Sequence, residues 1–225
     1  MLAPTFHLSV FLLNIFTFCY DQLYVNLPMP SKDMEKWTLK GRLTFLTYWC
    51  IVVQTIYFGV AFLNDILGTN AALPKRIPLI RKTKDILFIL AFPISIFVTA
   101  TFWGIYHVDK ELIFPEVMEK ILPVWMNHVL HTLVSVFIVF ELVAFFRNYP
   151  SRKTGMLILG AFNFTYIIWL NVLYIQHDVW MYPILSVLNW PLKIAFFGMS
   201  LLVSTVFYVL GEKINNTVWF KHVRS

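Results

Sequence analysis

Long apolar runs, separated by short charged stretches, set the pattern of this chain. Apolar segments cover residues 2 to 20, 43 to 63, 86 to 108, 121 to 146, 155 to 177 and 194 to 211. Each approaches the roughly 17–25 residues that cross the hydrocarbon core of a bilayer as helix. The pattern predicts an all-α integral membrane bundle of about six transmembrane helices, with residues 1–225 forming one multi-pass domain. Spanning strands are excluded, because they alternate apolar and polar positions over ~10 residues and these runs are continuous. Proline marks segment borders at Pro28, Pro30, Pro74, Pro78 and Pro150. Pro93 and Pro123 fall inside or at the start of spans, where neighbouring groups satisfy a freed carbonyl. The stretch from Val179 to Trp190, with Pro183 inside it, reads as an interfacial approach to the last span. Trp125, Trp180, Tyr182, Trp190 and Trp219 fit the pattern of interfacial anchors.

Composition agrees with this pattern: 59% of residues are hydrophobic and 13% are charged, against about 25% charged in soluble domains. A soluble fold of this size has too little interior to hide that apolar surface. Lys and Arg number eleven on the side of the termini and seven on the other, which predicts cytoplasmic termini. The sequon Asn215-Asn216-Thr217 is then expected to stay unglycosylated. The net charge of +6 reads as topology and contact with anionic lipid. No continuous basic stretch or nucleic-acid motif accompanies it, so no nucleic-acid partner is expected. The first segment lacks a basic leader and a small-residue cleavage site near Phe16 to Tyr20, and reads as a retained helix. Cys19 and Cys50 both lie in apolar segments and make no disulfide framework. No internal repeat of solenoid period and no low-complexity tract is present.

Polar groups inside such spans are costly, so each is a candidate functional residue. On the fourth span Asn127, His131 and Ser135 recur every four residues and share one face, with His128 on its edge. On the second, Thr47, Gln54, Phe58, Ala61 and Asp65 share a face. Thr47 lies roughly 6 Å in from Arg42 and His131 roughly 16 Å in from Lys120, depths that overlap within the error of span boundaries. A hydroxyl and an imidazole that meet permit nucleophilic catalysis, since a threonine needs a base to take its proton. Acyl transfer through a tetrahedral oxyanion is the matching reaction, with Asn127, Gln54 or His128 as oxyanion or supporting groups. Glu141 is rotated by roughly 80° from His131 on the helix, so a dyad is the expected arrangement. Thr47 bonded to its own preceding carbonyl is the structural alternative. A metal on His128 and His131 is the competing chemical one; it lacks a third ligand, because Asp65 and Glu141 lie toward the opposite end. No metal or cofactor is therefore expected. Lys193 reads as an interfacial lysine reaching for water, and His7, His107, His177 and His222 as wetted groups near span ends.

Several stretches also carry a resemblance. Residues 123 to 132 (PVWMNHVLHT), 54 to 60 (QTIYFGV), 90 to 93 (LAFP), 149 to 155 (YPSRKTG) and 210 to 213 (LGEK) resemble the family of androgen-induced and androgen-dependent TFPI-regulating membrane proteins. The resemblance covers nearly the whole chain and is weaker in the first helix and the loop after it. It implies a multi-pass threonine hydrolase that cleaves fatty acid esters of hydroxy fatty acids. The family's nucleophile falls on Thr47 and its histidine on His131, with Thr44 the alternative nucleophile. The implied partner is a lipid ester drawn from the bilayer, its product acids leaving past the five Lys and Arg between Lys75 and Lys84 or past the basic stretch ending at Arg42. A regulatory or lipid-binding membrane adaptor, without enzymatic activity, is the alternative function. No retrieval signal ends the chain at Phe220 to Ser225. The cell membrane is the expected location, with the endoplasmic reticulum as the alternative.

Overall fold

The computed structural model describes residues 2–71, 74 and 76–224, the last five of these as backbone only. Lys75, counted above in a basic loop, and the His222 side chain lie outside the described part. Six long helices follow one another: α1 (Leu2–Tyr24), α2 (Leu46–Leu67), α3 (Leu79–Val108), α4 (Val124–Ala144), α5 (Arg152–His177) and α6 (Trp190–Arg224). All six are long and apolar enough to cross a bilayer, and among the described residues there is no strand. The expected all-α, multi-pass membrane architecture is what the chain adopts. α3 begins at Leu79, a full turn and more before the apolar run, because its charged first turns are paired: Arg81 meets Asp85 at 3.1 Å and both are buried.

α3 is the hub. It touches α2, α4, α5 and α6, and half of its most apolar window is buried, against 17% for α6. α1 packs on α2. Tyr57, Phe58 and Ala61 from α2, Phe88 and Phe92 from α3 and Ile138 and Leu142 from α4 make one core cluster. In lipid, such packing and polar contact must supply the association that hydrophobicity supplies in water. α6 reaches α3 at Gly211, where an added Cβ would lie 2.7 Å from the Phe92 ring.

The segment between α1 and α2 folds over one end of the bundle and buries Met29 and Met34. Its turn runs through three left-handed residues, Leu39, Lys40 and Gly41. At Gly41 a Cβ would meet the Met34 carbonyl oxygen at 2.6 Å, so only glycine fits. This turn drives Arg42 inward, fully buried, onto Asp21 at 3.0 Å. Within the basic stretch that ends there, Arg42 itself is thus already paired with a carboxylate.

Between α5 and α6 the interfacial approach is a loop with a short helix, Pro183–Val187. Trp190 stays half exposed, and Trp125 packs against Phe16 and edge-on to Tyr20 at the surface. Trp180 is buried and Tyr182 turns inward, so these two are packing residues as well as anchors. Lys193 does not reach for water. Its Nζ donates to the Leu188 carbonyl and lies 5.4 Å from the Trp180 and Trp190 rings.

Candidate active site

α4 enters after Pro123, whose fixed φ suits a helix start. From Val129 to Leu133 it widens into a π-turn, a local expansion often found where a helix carries function. His131 sits in that turn, buried. The widened turn leaves its carbonyl to the Trp103 indole, which donates to His131 O at 3.1 Å and to Thr132 Oγ1 at 3.0 Å. The imidazole lies flat on Phe102, ring centres 3.6 Å apart. Its Nδ1 faces Asn127 Oδ1 at 2.7 Å and the Asn127 carbonyl at 3.2 Å. A backbone carbonyl only accepts, so Nδ1 carries the hydrogen and Nε2 is the free acceptor of a neutral ring. That Nε2 is 3.2 Å from Thr47 Oγ1. Thr47, His131 and Asn127 thus form a relay from hydroxyl to imidazole to amide.

Thr47 stands in the first turn of α2, and its position is held by the residues just before it. The Leu43 carbonyl accepts from the Trp49 indole at 2.7 Å and from the Trp169 indole at 3.1 Å. The Thr44 carbonyl accepts from Tyr166 at 3.1 Å, and the Leu46 amide donates to the Tyr182 hydroxyl at 2.9 Å. Aromatic tips from α2, α5 and the α5–α6 loop therefore fix the backbone that presents the threonine.

Thr47 and His131 line an apolar cavity of about 1260 Å³, counting its open mouth. Its walls run from Leu27, Met118 and Leu122 in the loops to Ile167, Phe197 and Leu201 on α5 and α6. Polar lining is sparse; the Asn163 amide donates to Ser204 at 2.6 Å across the α5–α6 wall. An activatable hydroxyl beside a base, in a long greasy chamber, suits attack on an electrophilic carbon carried by lipid chains.

The model of the FAR-17a/AIG1-like protein family matches residues 3–216. This chain belongs to that family. It is 40% identical to the rat androgen-dependent TFPI-regulating protein over 207 residues, covering 89% of this chain and 88% of the relative. It is 33% identical to the human androgen-induced gene 1 protein over 203 residues, 87% and 84% of the two chains. A fission yeast relative, UPF0641 membrane protein PJ4664.05, is 22% identical over 164 residues, covering 72% and 73%. No solved structure matches.

In this FAR-17a/AIG1-like chain the residues singled out from the sequence part company. Thr47, His131 and Asn127 come together, and Asn127 supplies the third member, where no acid on α4 does. Gln54 does not join them. Its Nε2 donates to Ser95 Oγ at 2.7 Å and to the Val134 carbonyl at 2.5 Å, tying α2 to α3 and α4. His128 is exposed, 3.2 Å from Thr132 Oγ1 and stacked near Trp103, so it does not face the cavity. Ser135 donates to the Thr132 carbonyl. Thr44 is buried and donates to the Gly41 carbonyl at 2.8 Å, closing the loop turn. Among the described residues no three His, Cys, Asp or Glu side chains converge as metal ligands.

His7 is the clearest correction. Its position in the sequence suggests a wetted span end, yet it is fully buried between Asp65 at 2.6 Å and Glu141 at 2.8 Å. Glu141 also accepts from the Tyr57 hydroxyl at 2.5 Å and lies 3.5 Å from Lys84 and 3.6 Å from Arg147. The sequence did contain a signal: His7, Asp65, Lys84 and Glu141 each lie toward the same end of their spans. Burying one charge demands partners, and four helices and a loop residue meet to supply them.

Proposed function

We propose that this FAR-17a/AIG1-like protein is an intramembrane hydrolase that cleaves fatty acid esters of hydroxy fatty acids. The observation that carries the reading is the Thr47–His131–Asn127 relay opening onto a long apolar cavity. The choice of ester rests on the family resemblance and on the apolar walls of the cavity that Thr47 and His131 line. Thr47 Oγ1 attacks the ester carbonyl carbon as His131 Nε2 takes its proton, and Asn127 holds the imidazole in the tautomer that can accept it. The hydroxy fatty acid leaves with that proton, and water, deprotonated by His131, releases the fatty acid from Thr47. The substrate enters from the bilayer. The proposed location is the cell membrane, or the endoplasmic reticulum as alternative, with both termini cytoplasmic; glycosylation mapping with sequons introduced into the loops tests the orientation, because Asn215 is itself buried in α6.

A series of esters varying in chain length and branch position, assayed with Thr47→Ala and His131→Ala, tests the mechanism. Both variants are expected to lose cleavage at normal expression. Wild-type turnover in either one overturns the reading. Relatives named as TFPI-regulating favour a second reading, a regulatory membrane adaptor. A fluorophosphonate probe separates the two, modifying Thr47 in a hydrolase and leaving an adaptor unlabelled.

A further inference from the structure

We propose that the Tyr182 hydroxyl donates the hydrogen bond that stabilises the oxyanion formed when Thr47 attacks its ester. The proposal rests on the hydrolase reading and completes it, because a base and a nucleophile alone leave the developing negative charge unattended.

Other polar groups near the relay are committed elsewhere or turned away. Gln54 Nε2 is committed to Ser95 and Val134 and the Trp103 indole to His131 O and Thr132, and Asn127, which holds His131, does not line the cavity. His128 faces away from the cavity. Tyr48, next to Thr47, is turned about 100° around the helix, with its phenol toward Asp21 and Arg42.

Tyr182 differs. Its side chain lines the same cavity as Thr47 and His131. Its oxygen accepts from the Leu46 amide at 2.9 Å, one residue before the nucleophile, which places the phenol beside the first turn of α2. It is 3.0 Å from Tyr166 OH, and Tyr166 OH is 3.1 Å from the Thr44 carbonyl. Two hydroxyl protons therefore serve the Thr44 carbonyl and the contact between the two phenols. If Tyr166 turns its proton to Tyr182, the Tyr182 proton is released to the cavity without any movement of the rings. Burial pushes the Tyr182 phenol above its ordinary pKa, so it remains a neutral donor at physiological pH. The first-turn amides of α2 add a positive end of the helix dipole nearby.

The step balances as follows. Thr47 Oγ1 bonds to the carbonyl carbon, its proton passes to His131 Nε2, and the carbonyl π electrons move onto oxygen. Tyr182 O–H hydrogen-bonds to that oxygen and keeps its proton. On collapse, the carbon–oxygen double bond returns and the alcohol leaves with the proton from His131.

Tyr182 is also part of the clamp on Leu46, and the test must separate a donor from a clamp. Full-length Tyr182→Phe in lipid bilayers is compared with wild type for kcat and KM. Binding of two inert probes is measured alongside: a trifluoromethyl ketone that forms a tetrahedral adduct, and an ether of the same shape that cannot. The expected result is a kcat lower by about 10²–10³-fold, a KM within a few-fold, ketone affinity weakened in parallel, and ether affinity unchanged. A kcat within threefold of wild type, or equal weakening of ketone and ether, overturns the proposal. If the phenylalanine variant is poorly folded, a fluorotyrosine at 182 keeps the hydroxyl and ring; ketone affinity must then change with phenol acidity, and no change overturns the assignment. Failure of the hydrolase reading shows instead as wild-type turnover in Thr47→Ala and removes both. Failure of the Tyr182 assignment alone leaves Thr47→Ala inactive.

Discussion

Two polar regions lie at opposite ends of the α2–α4 pair, and they differ in what their polar groups have left to do. Where these helices begin, Thr47, His131 and Asn127 make a short relay of neutral groups whose outer end opens into an apolar cavity. Where they end, Glu141 is surrounded by Tyr57, His7, Lys84 and Arg147, and none of these five residues lines that cavity. Both regions place ionisable groups inside membrane-spanning helices. Only the first offers a nucleophile and a base to something that arrives from outside. The expense of a buried polar group thus explains why partners gather round it; access explains which gathering can do chemistry.

The sharpest way to break this contrast is to remove the relay. Thr47→Ala or His131→Ala is expected to lower ester cleavage by at least about 10⁴-fold, with thermal unfolding in detergent close to wild type. Glu141→Ala should do the reverse. Leaving His7, Lys84 and Arg147 without their shared carboxylate is expected to cost about 3–5 kcal/mol of stability, read as a lower unfolding midpoint, while the remaining folded protein keeps its turnover. Asn127→Ala removes only the group that orients the imidazole, and a fall in kcat of about 10²-fold with little change in KM is expected. Gln54→Leu should cost about 1–3 kcal/mol in stability through its lost bonds to Ser95 and Val134, with kcat near wild type. The smallest effect belongs to His128→Ala, an exposed side chain whose loss should change stability by no more than about 0.5 kcal/mol and leave turnover intact.

Much of this molecule was legible before folding was considered. Each span follows from the length of an apolar run, and the observed helices start and end within a few residues of those runs except where Arg81, Lys84 and Asp85 extend α3 and where α6 runs on to Arg224. Helical phase alone put Asn127 and His131 on one face and Thr47 on the polar side of α2. The depth comparison allowed Thr47 and His131 to meet only within its error. In the folded chain Thr47 is one residue inside its helix and His131 seven inside its own, so the two helix starts are offset by about 9 Å. Helix offset is set by the loops and by packing on α3, which no single span encodes. The same limit explains His7, read as wetted because it is near an end, when Asp65 and Glu141 cover it from two other helices.

Tyr182 shows the limit from another side. As a residue in an aromatic-rich stretch between spans it read as an anchor at the membrane surface, and only the fold brings it to Leu46, 136 positions away in the chain. The amino-acid sequence by itself determined that the protein lives in a membrane, how many helices cross it, and which helices carry a costly polar side, because run length and helical phase are local properties. The tertiary structure decided which polar groups meet, which are closed off in the Glu141 cluster, and which face the cavity. Those outcomes depend on helix order, offset and rotation, and so on contacts between residues far apart in the chain.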